Sequence, residues 1–200
     1  MKLKKQGNIV FALISSLSAS ELKQFKRFLE FEFVKASSYL KFEQYGKTQR
    51  LLHALKYKGV KEIGTTLGEL AALEIGETNF FDTIDVIVPV PIHKIKRKKR
   101  GYNQSYFIAE GIRNITEKKV EKTAVIKEIN TESQTKKGRF KRWQNVNSTF
   151  KIIDSEVLIG KHILLVDDVA TTGATIEAIG IQLQQLRGVK LSLLTIAATF

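Results

Sequence analysis

Two adjacent carboxylates, Asp167 and Asp168, close the apolar run "ILLV" at 163–166 and are followed by the short stretch "VATTGAT" ending at Thr175. Burying like charges side by side is costly unless something offsets them, so a strand that served only the core would not end this way. The loop that follows supplies a reason. "ATTGAT", from Ala170 to Thr175, leads into helical sequence, where unpaired backbone N–H groups and the positive end of the helix dipole attract phosphate. Gly173 lets the backbone approach a ligand closely, and the hydroxyls of Thr171, Thr172 and Thr175 add donors. The stretch is neither a Gly-Lys-Ser/Thr phosphate loop nor a G-x-G-x-x-G dinucleotide fingerprint. Two acids beside a phosphate cradle suit sugar hydroxyls or the hydration shell of Mg²⁺. A ribose 5-phosphate group meets both demands.

These residues must be positioned by the elements around them. "HILLVDD", a helix over 174–187 with Ile176, Ile179, Leu183 and Leu186 on one face and Gly188 at its end, and "VKLSLLTIAA" read as strand, helix and strand. Earlier, "IDVIVPV" at 84–90 is rich in β-branched residues and ends in prolines, the pattern of a buried strand running into a loop. "HKIKRKKRG" is expected to continue that loop. Asn103 is a good N-cap for a helix with Ile108, Ile112 and Ile115 on one side, and a further strand is expected within "VEKTAVIKEI". "KTQRLLHALKYKG" and "KEIGTTLGELAALEIG" predict two helices stopped at Gly59 and Gly76. The polar, basic stretch 131–149 has no core periodicity and reads as a flexible hood or lid. The whole is α/β, a mainly parallel sheet flanked by helices, in which ligands bind beyond the C-terminal ends of the strands.

The first 20 residues contain lysines, an apolar stretch and a small-residue end, the parts of a secretory signal. Ser15 and Ser16 break the run, and Ser18 with Glu21 forms a capping box, so 8–45 is expected to be helical instead. This divides the chain into an N-terminal helical segment, 1–47, and a main domain, 48–200. The 200 residues, 43% hydrophobic and 26% charged, suffice for one sizeable core. No stretch approaches the roughly 18 apolar residues of a membrane span, and there is no cysteine, so a soluble cytoplasmic protein without a membrane partner or disulfides is expected. The net charge of +13 points to anionic partners, either phosphorylated small molecules or nucleic acid.

"ILLVDDVATTGAT" closely resembles the phosphoribosyl pyrophosphate (PRPP) binding motif of type I phosphoribosyltransferases. "LLHALKYKG" at 51–59, "VPVPIHKIKRKKRGYNQS" at 88–105 and "SQTKKGRFKRWQNVNSTF" at 133–150 resemble the ComF/GntX branch of that family. The resemblance implies the type I phosphoribosyltransferase fold. It gives Asp167 and Asp168 the ribose hydroxyls, and a share in Mg²⁺ through water or substrate. It gives Ala170, Thr171, Thr172, Gly173, Ala174 and Thr175 the 5-phosphate. Val90 and Pro91 would begin the pyrophosphate loop, served by Arg97, Lys98, Lys99, Arg100, Asn103 and Gln104, while Gln134, Lys137, Arg139, Arg142 and Asn145 would act from the lid. Asp167, Asp168 and Arg100 are the catalytic candidates. Many ComF relatives carry an N-terminal zinc-binding cysteine cluster, and here that module has no counterpart.

The implied activity is transfer of phosphoribose from Mg²⁺-PRPP to an unidentified nitrogenous acceptor, or the reverse, with a homodimer left open. The alternative is a non-catalytic, PRPP-responsive competence-type protein acting in DNA uptake. Its partner would be a DNA-processing protein or single-stranded DNA, bound weakly by the six cations among residues 94–100. If 131–145 is a lid, its backbone hydrogen exchange should slow when Mg²⁺-PRPP is added; strong protection throughout the segment without ligand is the contrary result.

Overall fold

A computed structural model describes residues 5–6, 9–13, 33–42, 45–129 and 149–199. The central element is β8, His162–Ala170, whose residues 163–166 are all buried. Helices cover both faces of the sheet, and this is why "ILLV" reads as an unbroken apolar run rather than an alternating one. Ile163 and Leu165 face one core with Val86, Val88, Leu193 and the Ile176, Ile179 and Leu183 stripe of the following helix. Leu164 and Val166 face the other, with Ile87, Leu194, Ile196, Leu55, Ala71, Ile108 and Ile112.

Around β8 lies a seven-stranded sheet. In chain order its other strands are β1 (Lys5–Gln6), β2 (Ile9–Leu13), β3 (Lys35–Lys41), β4 (Val86–Pro89), β5 (Lys119–Val120) and β9 (Lys190–Ala198). The spatial order is β1-β2-β3-β9-β8-β4-β5. All neighbouring pairs are parallel except β1 with β2. β4 and β8 therefore end at the same edge of the sheet. The helices are α1 (Lys47–Tyr57), α2 (Glu62–Gly76), α3 (Lys94–Arg100), α4 (Gln104–Thr116) and α5 (Ala174–Gln184). The expected α/β class, with a mainly parallel sheet flanked by helices, is what the chain adopts.

Three expectations are corrected. The N-terminal segment is not helical where it is described: β2 and β3 extend the main sheet. β9 would otherwise present an open row of backbone donors and acceptors, and β3 satisfies it through pairs such as Ser37 with Leu194. Residues 35–41 thus share a sheet with 190–198, and Phe33 and Ala36 share its core. The capping box of Ser18 with Glu21 lies outside the described residues. Secondly, "KIKRKKR" is helix α3 rather than loop. His93 caps it by accepting from the Ile95 amide at 3.3 Å, and Gly101 ends it in the left-handed region at φ 83°. Thirdly, "VEKTAVIKEI" divides: β5 joins the main sheet, while β6 (Val125–Lys127) pairs antiparallel with β7 (Phe150–Ile152) in a separate ribbon.

Helices α2 and α4 meet at unusually close range. A Cβ on Gly68 would lie 2.2 Å from the Ile108 carbonyl oxygen, and one on Gly111 would lie 2.0 Å from that of Thr65. Backbone cannot retreat as a flexible side chain can, so neither site has room for alanine. Gly68→Ala and Gly111→Ala are each expected to destabilise by at least about 1–3 kcal/mol in urea unfolding. Gly76→Ala, at the open end of α2 with nothing within 4 Å of the added Cβ, is the control and should be neutral or slightly stabilising.

Candidate functional site

β8 runs past both acids to Ala170, so Asp167 and Asp168 are strand residues at the C-terminal edge of the sheet. The two carboxylates find different partners, both supplied by the helices that cover one face. Asp167 Oδ1 accepts from the Ser105 hydroxyl at 2.9 Å and from the Asp168 amide at 2.9 Å. Asp168 is 7% exposed, and its Oδ2 lies 2.7 Å from the Lys56 ammonium. That oxygen is buried and has no aligned hydrogen bond, so the contact with Lys56 is held by charge rather than by directed hydrogen bonding. Burial, and next to it the neighbouring charge of Asp168, push the Asp167 carboxyl up to about 7; its hydrogen bonds and Lys56 pull the other way and offset only part.

The acids lead directly into the expected cradle. Thr171 and Thr172 are exposed, Gly173 is buried in the left-handed region at φ 76°, and α5 starts at Ala174. The Thr172 hydroxyl accepts from the Ala174 amide at 3.5 Å. The exposed Ala174 and Thr175 place the first turn of an 11-residue helix at the rim, with its N–H groups available to an anion. Ala170 is buried, and its carbonyl accepts from the Thr199 amide at 3.0 Å, which anchors the strand end.

The loop after β4 reaches the same edge. The buried Val90 donates its N–H to the Val166 carbonyl at 2.9 Å, and its own carbonyl accepts from Asn103 Nδ2 at 3.0 Å. Asn103 also caps α4 by accepting from the Ser105 amide at 3.2 Å. One residue therefore ties the loop to the helix that carries Ser105. Arg100 stacks on Tyr57 at 5.2 Å, and its Nη1 donates to Gln104 Oε1 at 3.1 Å. This fixes the Gln104 amide, whose Nε2 is buried without a partner. Arg97, Lys98 and Lys99 are exposed, and Pro91 is half-buried. Of the cations expected at this loop, Arg100 alone is tied into the packed network. The lid candidates Gln134, Lys137, Arg139, Arg142 and Asn145 lie outside the described residues.

Sequence reasoning missed Lys56, Tyr57 and Ser105. Lys56 sits one turn after the buried Leu52 and next to the buried Leu55, so it occupies an inward position on α1. Ser105 shares the buried face of α4 with Ile108 and Ile112. A polar residue on an apolar stripe was the available signal. His162 stands at the opposite edge of the sheet, buried, with Nε2 2.9 Å from the Ser192 hydroxyl and its pKa lowered by burial.

Among the described residues no group of three or more histidine or acidic side chains converges on a point where a metal ion would sit. The two aspartates alone are too few for an all-protein site. They fit Mg²⁺ that keeps several waters and arrives on phosphate oxygens. No helix among the described residues is long and apolar enough to cross a membrane.

No protein-family profile matches the chain. It is 30% identical over 133 residues to the DNA utilization protein YhgH of Escherichia coli (strain K12), covering 64% of this chain and 57% of that one. It is 26% identical over 140 residues to competence protein F of Haemophilus influenzae, covering 68% and 61%. The chain thus spans little more than half the length of these relatives. A solved glutamine PRPP amidotransferase from B. subtilis is 18% identical over 70% of this chain and 30% of that one, with a TM-score of 0.48.

The raised pKa of Asp167 has a definite consequence for stability. The folded protein keeps a proton that the unfolded chain has already lost, so stability falls as pH rises from about 4 to about 7. Asp167→Asn still accepts from Ser105 and from the Asp168 amide but does not ionise. Its unfolding midpoint in urea should match that of wild type near pH 4 and exceed it at pH 8; equal midpoints at pH 8 would show that ionising the half-buried Asp167 carries no cost.

Proposed function

We propose that the chain binds Mg²⁺-PRPP at the rim formed by 167–175 and transfers its phosphoribosyl group to a nitrogen nucleophile, or runs the reverse reaction. The observation that carries this reading is the sequence of parts at the end of β8: two compensated carboxylates, a glycine in the left-handed region, and the open first turn of α5. Asp167 and Asp168 accept hydrogens from the ribose hydroxyls. The N–H groups at the start of α5, with Thr171, Thr172 and Thr175, hold the 5-phosphate. Reaction breaks the bond from C1 to the pyrophosphate oxygen, and the electron pair leaves with pyrophosphate. The nitrogen lone pair forms the new C1–N bond, and the proton lost from nitrogen passes to solvent. Such a transition state, with oxocarbenium character, needs positioning and charge stabilisation more than a nucleophile from the protein. Arg100, held by Tyr57 and Gln104, and the exposed Arg97, Lys98 and Lys99 stand on the side assigned to the leaving group. Mg²⁺, carried on phosphate oxygens, would neutralise charge building on pyrophosphate.

A second reading keeps the ligand and drops the catalysis: a PRPP-responsive protein of DNA uptake. It is favoured by the names of the relatives, a DNA utilization protein and a competence protein, and by the solvent-facing cations of α3.

Titration calorimetry with Mg²⁺-PRPP, followed by a screen of nucleobase acceptors for pyrophosphate release, tests both. Asp167→Asn with Asp168→Asn should weaken PRPP binding at least about tenfold, since hydrogen bonds to charged groups contribute roughly 1.5–3 kcal/mol each. In wild type, binding should strengthen as pH rises through about 7, because Asp167 ionises there, and Asp167→Asn should lose that component. Unchanged affinity in the folded double variant would refute the placement. PRPP binding without turnover of any acceptor, together with salt-sensitive binding of single-stranded DNA, would favour the second reading.

A further inference from the structure

Lys56 belongs to none of the segments assigned to the ligand, yet its ammonium makes the closest charged contact of either acid, 2.7 Å from Asp168 Oδ2. Three consecutive residues at the end of α1 each reach a different part of the site. The Leu55 carbonyl accepts from the Tyr102 hydroxyl at 2.5 Å, just before α4. Lys56 meets β8, and Tyr57 lies under the Arg100 guanidinium of α3. The end of α1 is therefore anchored on either side of Lys56. Its side chain remains 20% exposed, against 10% for Asp168. Oδ2 of Asp168 is buried, while the side chains of Lys56 and Asp168 each keep part of their surface open at the rim. An ammonium has three donors, and the contact with Asp168, held by charge, leaves donors for a further acceptor.

We propose that Lys56 and Asp168 form one composite receptor for a sugar hydroxyl, in which the carboxylate accepts the hydroxyl hydrogen and the Lys56 ammonium donates to the same hydroxyl oxygen. The geometry explains why a nearly buried ion pair stands at a sheet edge. A core contact would be served as well by apolar residues, whereas a paired donor and acceptor reads a hydroxyl and discriminates against ligands that lack one. Lys56 is then a specificity-determining residue that separates ribose 5-phosphate from bare phosphate. The inference rests on the reading of 167–175 as a ribose 5-phosphate site.

The test is titration calorimetry of the full chain with two probes, ribose 5-phosphate and inorganic phosphate. Lys56→Met keeps the apolar stem and removes the donor. It is expected to weaken ribose 5-phosphate about tenfold or more while leaving inorganic phosphate within about twofold, because the phosphate is held at α5. Lys56→Gln, which retains a neutral donor, serves if the methionine variant does not fold, and should show the same selective loss in smaller measure. Equal affinity of a folded variant and wild type for ribose 5-phosphate overturns the role of Lys56 while leaving the site reading intact. Equal loss of both probes also overturns it, since that is what a general structural or charge effect gives. A wild-type protein that binds ribose 5-phosphate no more tightly than phosphate overturns the site reading itself, and this inference with it.

Discussion

The structure turns on placing two neighbouring carboxylates at the end of a central strand packed on both faces. β8 is flanked by parallel strands and covered on both faces, so charge at its end is poorly solvated. The chain meets this cost with the Lys56 ammonium on one acid, and with the Ser105 hydroxyl and a backbone N–H on the other. The compensation is incomplete. Asp167 is still held well above the ordinary carboxylate range, and Asp168 Oδ2 has charge nearby without a directed hydrogen bond. Groups left partly unsatisfied in this way favour a ligand that brings hydrogen-bond donors.

Both compensating residues come from the helical layer on one face, so its packing sets the chemistry at the rim. Ser105 is delivered by α4, whose register against α2 is set by Gly68 and Gly111, where backbone meets backbone. Lys56 is delivered by α1, whose Leu52 and Leu55 are buried in the same core. Asn103 links that layer to the loop after β4, and Arg100 links it to Tyr57. A small slip of α4 would separate Ser105 from Asp167 and Asn103 from Val90 at once. The opposite edge of the sheet has a different character: there His162 and Ser192 pair in a buried contact, and the His162 amide donates to Asp85 at 2.7 Å.

Among the described residues, the cations near the site are of two kinds. Arg100 and Lys56 are built into contacts with named partners, whereas Arg97, Lys98 and Lys99 project from a short helix whose residues are not buried. The first kind fixes geometry. Exposed charge of the second kind acts through its field rather than through fixed contacts, and is screened by salt.

What the linear sequence determined was local. The apolar run ending in two acids, the glycine and threonine loop, and the 3.6-residue stripe after it marked a strand, a turn and a helix, because each signal lies within about one turn or strand length. The mainly parallel sheet followed from strands alternating with helices. The helical expectation for the N-terminal segment failed where residues are described, because the open edge of β9, more than 150 positions away in the chain, recruits 35–41 as a strand. α3 was hidden because its charged residues have no apolar stripe, and its cap is a histidine, which is not among the preferred capping types. Only the tertiary structure decided which groups compensate the acids. Lys56 and Ser105 lie 112 and 62 positions from their partners, Asp168 and Asp167, and nothing in local periodicity says which buried polar residue on one element faces which acid on another. For Ser105 that placement depends on how closely α2 and α4 pack, at glycines that let their backbones touch.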